Sequence, residues 1–179
     1  MTAQPRCPRV VQIVGYKKTG KTTLLCRLIE RFAAEGLRVG VAKHDGHEFE
    51  PDVPDTDTWL LRRSGAVMTA IASDARTAFF ENRGAPLDEL VSRMAASDLV
   101  LAEGWKRERY PKLALVHSDA DLPLLASLDA LAGVVSWNPA LRRAWASSQA
   151  ALEYAALPIF DYEDIAGIAA FILRLAQGD

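Results

Sequence analysis

Gly15-Tyr16-Lys17-Lys18-Thr19-Gly20-Lys21-Thr22 follows the spacing G-x-x-x-x-G-K-[ST]. This order of residue types is what gripping a polyphosphate requires. Two glycines let the main chain curl until successive N–H groups point into one concavity, an anion nest. A helix opening near Lys21 brings its positive dipole end to the same point. Lys21 would reach the β- and γ-phosphates as a point charge, and the Thr22 hydroxyl would ligate Mg²⁺. Tyr16, Lys17, Lys18 and Thr19, the residues between the two glycines, are expected to face the nucleotide.

Such a loop needs a carboxylate at the end of a neighbouring strand to hold the metal directly or through water. Asp98-Leu99-Val100-Leu101-Ala102-Glu103-Gly104 puts Glu103 at the carboxyl end of a buried strand, where ligands collect in open α/β sheets. Asp98, at the other end, reads as a strand-start or capping residue. Asp45, just after the second strand, is the other acidic candidate, weighed against an ordinary turn residue before Gly46. Lys21, Asp45 and Glu103 are therefore the candidate catalytic set, and Thr22, Glu103 and Asp45 the candidate metal set. No general base is evident, so positioning and electrostatics would carry any phosphoryl transfer, and turnover would be slow.

Other side chains divide between chemistry and ordinary packing. Asn138-Pro139 follows an apolar strand and is the local candidate for reading a base, or a plain turn. Lys106-Arg107-Glu108-Arg109 is an anion-binding lip or a solvated turn. Trp59 and Trp105 could stack on a planar ligand, or serve a dimer contact or the core. His44 and His47 beside Asp45 lack the further ligands of a metal site. Cys26 is expected to be buried on the first helix, and Arg62 and Arg63 to lie at the surface.

These residues need a scaffold, and the chain has the pattern of one. Short apolar runs alternate with helical periods, which predicts an α/β fold with a mostly parallel sheet flanked by helices. Strands are expected at 10–14, 38–42, 99–102, 112–117 and 131–136, with an antiparallel pair at 67–72 and 77–80 around a turn at 73–76. Helices are expected at 21–34, closed by Gly36, and at 56–63, 87–96, 139–155 and 161–176. The polar stretch 43–58 is too long for a tight turn and reads as a functional loop.

The chain has 179 residues, half apolar and a quarter charged, with 21 Lys and Arg against 23 Asp and Glu. This predicts one nucleotide-binding domain over 1–179, with 1–8 flexible. The charge balance argues against a nucleic-acid or anionic-membrane partner. The two cysteines, Cys7 and Cys26, make no disulfide framework, and no signal peptide or span is visible, so a cytoplasmic protein is expected.

Three segments taken together are more specific than the loop alone. GYKKTGKTTL, AKHDGHEFEPDVPDTDTWLLRRSGA and DLVLAEGWKRERYPKLALVH, in this order, closely resemble the MobB family, the molybdopterin-guanine dinucleotide biosynthesis adapter proteins. The resemblance runs over about residues 9–140. It implies a P-loop NTPase fold, GTP and Mg²⁺ binding, weak GTPase activity and a homodimer. It also implies assistance to the MobA-type molybdenum cofactor guanylyltransferase, which attaches GMP to molybdopterin, and a possible contact with molybdopterin itself. By position, Gly15, Gly20, Lys21, Thr22 and Thr23 would hold phosphate and Mg²⁺. Lys43, His44, Asp45 and Asp57 would form a switch-like loop and its helix, and Glu103, Gly104, Lys106 and Arg107 would line the far side. Tyr16 stands where related dimeric ATPases carry a signature lysine, and the chain has no N/T-K-x-D motif to read guanine. A small-molecule P-loop kinase and a metallocentre-insertion GTPase are the alternatives from the loop alone; a module that only binds nucleotide is a third.

Overall fold

A strand that is apolar on both sides must be covered on both sides. In the computed structural model, which describes residues 8–46, 48–147 and 156–176, β1 (Arg9–Gly15) meets this demand. Val11 and Ile13 face one layer, and Val10 and Val14 face the other. The chain divides into two compact units, Met1–His44 with Leu87–Asp179, and Asp45–Pro86.

The first unit is a six-stranded parallel sheet. Its strands are β1, β2 (Val39–Lys43), β5 (Leu99–Glu103), β6 (Lys112–Leu115), β7 (Leu131–Ser136) and β8 (Ile159–Asp161), in the order β2-β5-β1-β6-β7-β8. On one face, α1 (Lys21–Ala34) and α5 (Ile165–Leu175) bury Leu24, Leu28, Phe32, Ile168 and Ile172 against Val11, Ile13, Leu101 and Leu113. On the other face, α3 (Leu87–Arg93) packs Leu87 and Val91 on Val10, Val100 and Ala102. Beside them, α4 (Pro139–Ser147) and a 3-10 helix at Asp119–Ser127 cover Val14, Ala114 and Val134. Gly36 ends α1 as expected: its N–H donates to the Ala33 carbonyl, and that of Leu37 reaches back to Phe32.

The second unit holds α2 (Asp57–Arg63) and an antiparallel pair, β3 (Met68–Ala72) and β4 (Thr77–Glu81), joined by a turn in which Ser73 N–H donates to the Arg76 carbonyl. Arg62 was expected at the surface; its guanidinium is instead drawn in between Glu50 (2.8 Å) and Asp52 (3.6 Å).

The expected α/β architecture with its antiparallel pair is the one observed. Several details differ. Lys43 belongs to β2 and not to the loop, because β2 runs alongside β5 to the end, in register Lys43 to Glu103. The 3-10 helix carries Pro123 inside it and lacks a 3.6-residue period, so periodicity passes over it; a capping box between Ser118 and Asp121 starts it. β8 is three residues long, and the expected helix at 161 begins at Ile165, after Asp164 accepts the Gly167 N–H. β6 ends at Leu115 and α3 at Arg93, both short of expectation. Cys26 is exposed, since the buried stripe of α1 runs through Leu24, Leu25, Leu28 and Phe32 and leaves it on the outer side. Cys7, His47, residues 148–155 of the expected helix and all but residue 8 of the expected flexible start lie outside the described residues.

Candidate functional site

β1 and β5 are parallel neighbours, so their carboxyl ends lie side by side. The loop from Gly15 to Gly20 leaves one end, and Glu103 stands at the other. Thr22 and Glu103 are thereby brought together: the Thr22 hydroxyl lies 3.0 Å and 3.2 Å from the two carboxylate oxygens and donates to them. Glu103 is 7% exposed, and Lys43, its register partner on β2, brings Nζ to 3.7 Å.

The loop itself is tightly closed. Thr19 Oγ1 donates to the Tyr16 carbonyl at 2.8 Å, and a Cβ on Gly15 would lie 2.8 Å from that same hydroxyl. Gly20 is left-handed at φ 77°, and a Cβ there would come within 2.6 Å of the Trp137 ring. Lys18, also left-handed at φ 66°, makes the turn without being glycine. Gly20 leads directly into α1, whose first-turn N–H groups have no partner within the helix.

Two lysines beside the loop rest on protein acceptors. Lys21 Nζ donates to the Tyr16 carbonyl at 2.7 Å. Burial lowers its pKa from the ordinary lysine value, Glu103 opposes this, and Lys106 and Lys43 reinforce it. Lys106 Nζ sits 4.7 Å from the centroid of the Tyr16 ring, a cation–π contact. Lys17 and Lys18 are exposed, as is Arg107. His44 N–H donates to the Glu103 carbonyl at 2.9 Å, and its ring meets Trp105 edge-on at 5.3 Å. Gly104 permits this approach, because a Cβ there would lie 3.0 Å from that of His44.

Asn138 has a structural duty: its Oδ1 accepts from the N–H groups of Ala140 (2.9 Å) and Leu141 (3.3 Å), capping α4. Asp45 and Asp57 belong to the second unit and are exposed there; Trp59, in the same unit, lies under the Arg63 guanidinium.

Two hard oxygens on adjacent elements can serve one hard cation, and Mg²⁺ takes one or two protein oxygens and completes its shell with phosphate and water. The Thr22–Glu103 pair fits that demand.

Residues 10–137 match the sequence profile of the family described as molybdopterin guanine dinucleotide synthesis protein B. The chain belongs to the MobB family. It is 32% identical over 179 residues to the molybdopterin-guanine dinucleotide biosynthesis adapter protein of Escherichia coli (strain K12), covering 94% of this chain and 93% of that one. Among solved structures, a MobB protein homolog from Bacillus stearothermophilus superposes with a TM-score of 0.70 at 30% identity, covering 96% of this chain and 99% of that one. Bacillus subtilis MobB does so with a TM-score of 0.74 at 26% identity and the same coverages. The P-loop NTPase fold of the family is therefore the fold of this chain.

Three side chains of this MobB unit escaped sequence reasoning. Trp137 stacks on Tyr162 at 4.0 Å and meets His117 edge-on, so the ends of β6, β7 and β8 put an aromatic wall against Gly20. The Tyr162 hydroxyl donates to the Gly20 carbonyl at 3.2 Å, and burial raises its pKa. Lys112, fully buried at the start of β6, donates to the carbonyls of Glu108, Tyr110 (3.3 Å) and Asp129 (2.9 Å), which pins the segment carrying Lys106 and Arg107. Trp137 adjoins a residue already singled out, but Tyr162 follows β8, a strand too short to show in the sequence.

Proposed function

We propose that this chain is a GTP-binding adapter in molybdopterin guanine dinucleotide biosynthesis. It would assist the MobA-type guanylyltransferase that transfers GMP, act as a homodimer in the cytoplasm, and hydrolyse GTP weakly. The observation that carries the reading is the Thr22–Glu103 pair beside a closed loop of G-x-x-x-x-G-K-T spacing. Membership of the MobB family supplies the pathway.

In this reading the N–H groups of residues 15–23 cradle the phosphates, and Lys21 leaves the Tyr16 carbonyl for the β- and γ-phosphates. Thr22 and Glu103 would hold Mg²⁺. A bound Mg²⁺ would supply charge neutralisation to the phosphates. Asn138, with Oδ1 committed to α4, would offer amide N–H groups to the base, which suits guanine O6 and not the adenine amino group. Lys43, His44, Asp57, Lys106 and Arg107 would face partner or substrate, and the exposed Arg107 is available to an anion such as the molybdopterin phosphate. The exposed Val67, Met68 and Phe79 of the second unit favour self-association.

Two measurements test this. A fluorescent GTP analogue should bind the native protein and lose all measurable affinity in Lys21→Ala; equal affinity in both would remove the site. Co-purification with the guanylyltransferase should strengthen when GTP is present, and capture indifferent to GTP would remove the coupling.

A further inference from the structure

Glu103 is a nearly buried carboxylate at the mouth of the loop, and the Thr22 hydroxyl that donates to it brings no opposite charge. A buried charge needs an opposite charge near it. Among the described residues, the ion pair that Glu103 makes is with Lys43. The sheet register places the two residues directly opposite, so the pairing is built into the β2–β5 ladder and does not depend on a flexible loop. Lys21, whose charge Glu103 also attracts, donates to the Tyr16 carbonyl, and Lys106 rests on the Tyr16 ring.

The Lys43 pairing is loose. At 3.7 Å the ammonium attracts the carboxylate without a hydrogen bond, and the lysine side chain is 54% exposed, so its tip can leave without breaking packing. A divalent cation bound to the same oxygen would sit at about 2.1 Å. Two cations cannot share that side of one carboxylate without strong mutual repulsion.

We propose that Lys43 is a tethered stand-in for the metal: it compensates Glu103 while the site lacks a divalent cation, and it competes with Mg²⁺ for that carboxylate. This rests on the nucleotide-site reading above. It gives Lys43 two opposite effects. Without metal, its charge offsets the repulsion between Glu103 and an incoming triphosphate. With metal, it must be displaced before Mg²⁺ can settle on Glu103.

The test is an Mg²⁺ titration at fixed fluorescent GTP analogue, run on native protein, Lys43→Met and Lys43→Arg. Lys43→Met should lower the Mg²⁺ concentration for half-maximal binding roughly two- to five-fold, the range expected for a half-exposed ion pair. In excess EDTA, the same variant should bind the analogue more weakly by a similar factor. Lys43→Arg keeps the charge and should follow the native protein in both arms. An Mg²⁺ midpoint unchanged or raised in Lys43→Met, or an unchanged affinity in EDTA, overturns the proposal. A second arm measures Mn²⁺ binding to nucleotide-free protein by electron paramagnetic resonance. There Lys43→Met should bind Mn²⁺ more tightly than native protein, and Glu103→Gln should erase the difference. Equal Mn²⁺ isotherms sink the competition. Tighter Mn²⁺ binding in a protein that ignores GTP would keep it and remove the nucleotide reading.

Discussion

Gly20 joins the two demands of the site in one residue: a left-handed turn before α1, and contact with an aromatic wall. A side chain at φ 77° costs about 1–2 kcal/mol, before the collision with Trp137 is counted. Gly20→Ala should therefore lower Tm by about 4–8 °C and abolish binding of the fluorescent GTP analogue. Gly20→Ala should cost less Tm in a Trp137→Val background than in native protein, because the collision is gone while the backbone cost stays. An unaltered Tm in Gly20→Ala would show that the wall does not press on the loop. Lys21 gives the second test. Burial lowers its pKa below the ordinary 10.5, and only the charged form attracts phosphate. Affinity for the triphosphate should thus be level at neutral pH and fall as pH rises through that lowered value. Arginine does not lose its proton in this range, so Lys21→Arg should lack the fall. Parallel pH profiles would take Lys21 away from the phosphates.

Elements were readable from the sequence wherever one physical pattern dominated them. α1 shows its helical period and its glycine stop, and β1 and β5 are short apolar runs buried on both faces. The loop was visible because its chemistry is local: eight consecutive residues carry it. Glu103 could be placed as well, since a strand end is a position that a sequence shows. What stayed hidden depends on packing at a distance. Nothing in Lys43 marks it as a strand residue until β5 lies beside it, and Tyr162 reaches Gly20 only because β8 closes the sheet. α4 shows how one residue can serve both levels. Asn138→Ala removes the cap and should cost about 1 kcal/mol, or about 2–4 °C of Tm. Asn138→Asp keeps a capping oxygen and removes the amide N–H groups. It should leave Tm in place, weaken GTP several-fold and leave ATP alone. Equal losses for both nucleotides would reduce Asn138 to a helix cap.

The second unit poses a problem that the chain alone does not solve. A two-stranded sheet has two open edges and is marginal by itself. Here β3 and β4 also carry apolar side chains into solvent: Phe79 is 66% exposed and Met68 51%, with Val67, just before β3, 83% exposed. Met68 and Phe79 share a face, as the register pairs Met68 with Glu81 and Ala70 with Phe79. A soluble monomer gains nothing from that arrangement, whereas a second copy could cover the face and pair the edges at once. We propose that the homodimer forms through this unit, since the faces of the parallel sheet are already covered by α1, α3, α4 and α5. Phe79→Asp should turn the dimer into a monomer in sedimentation equilibrium at micromolar concentration, because a carboxylate at the centre of a covered apolar face is left unpaired. Phe79 lies outside the nucleotide loop, so the monomer should still bind the fluorescent GTP analogue if one subunit builds the whole site. Loss of both together would mean that the partner completes the site. A Phe79→Asp protein that sediments as the native dimer would place the interface elsewhere.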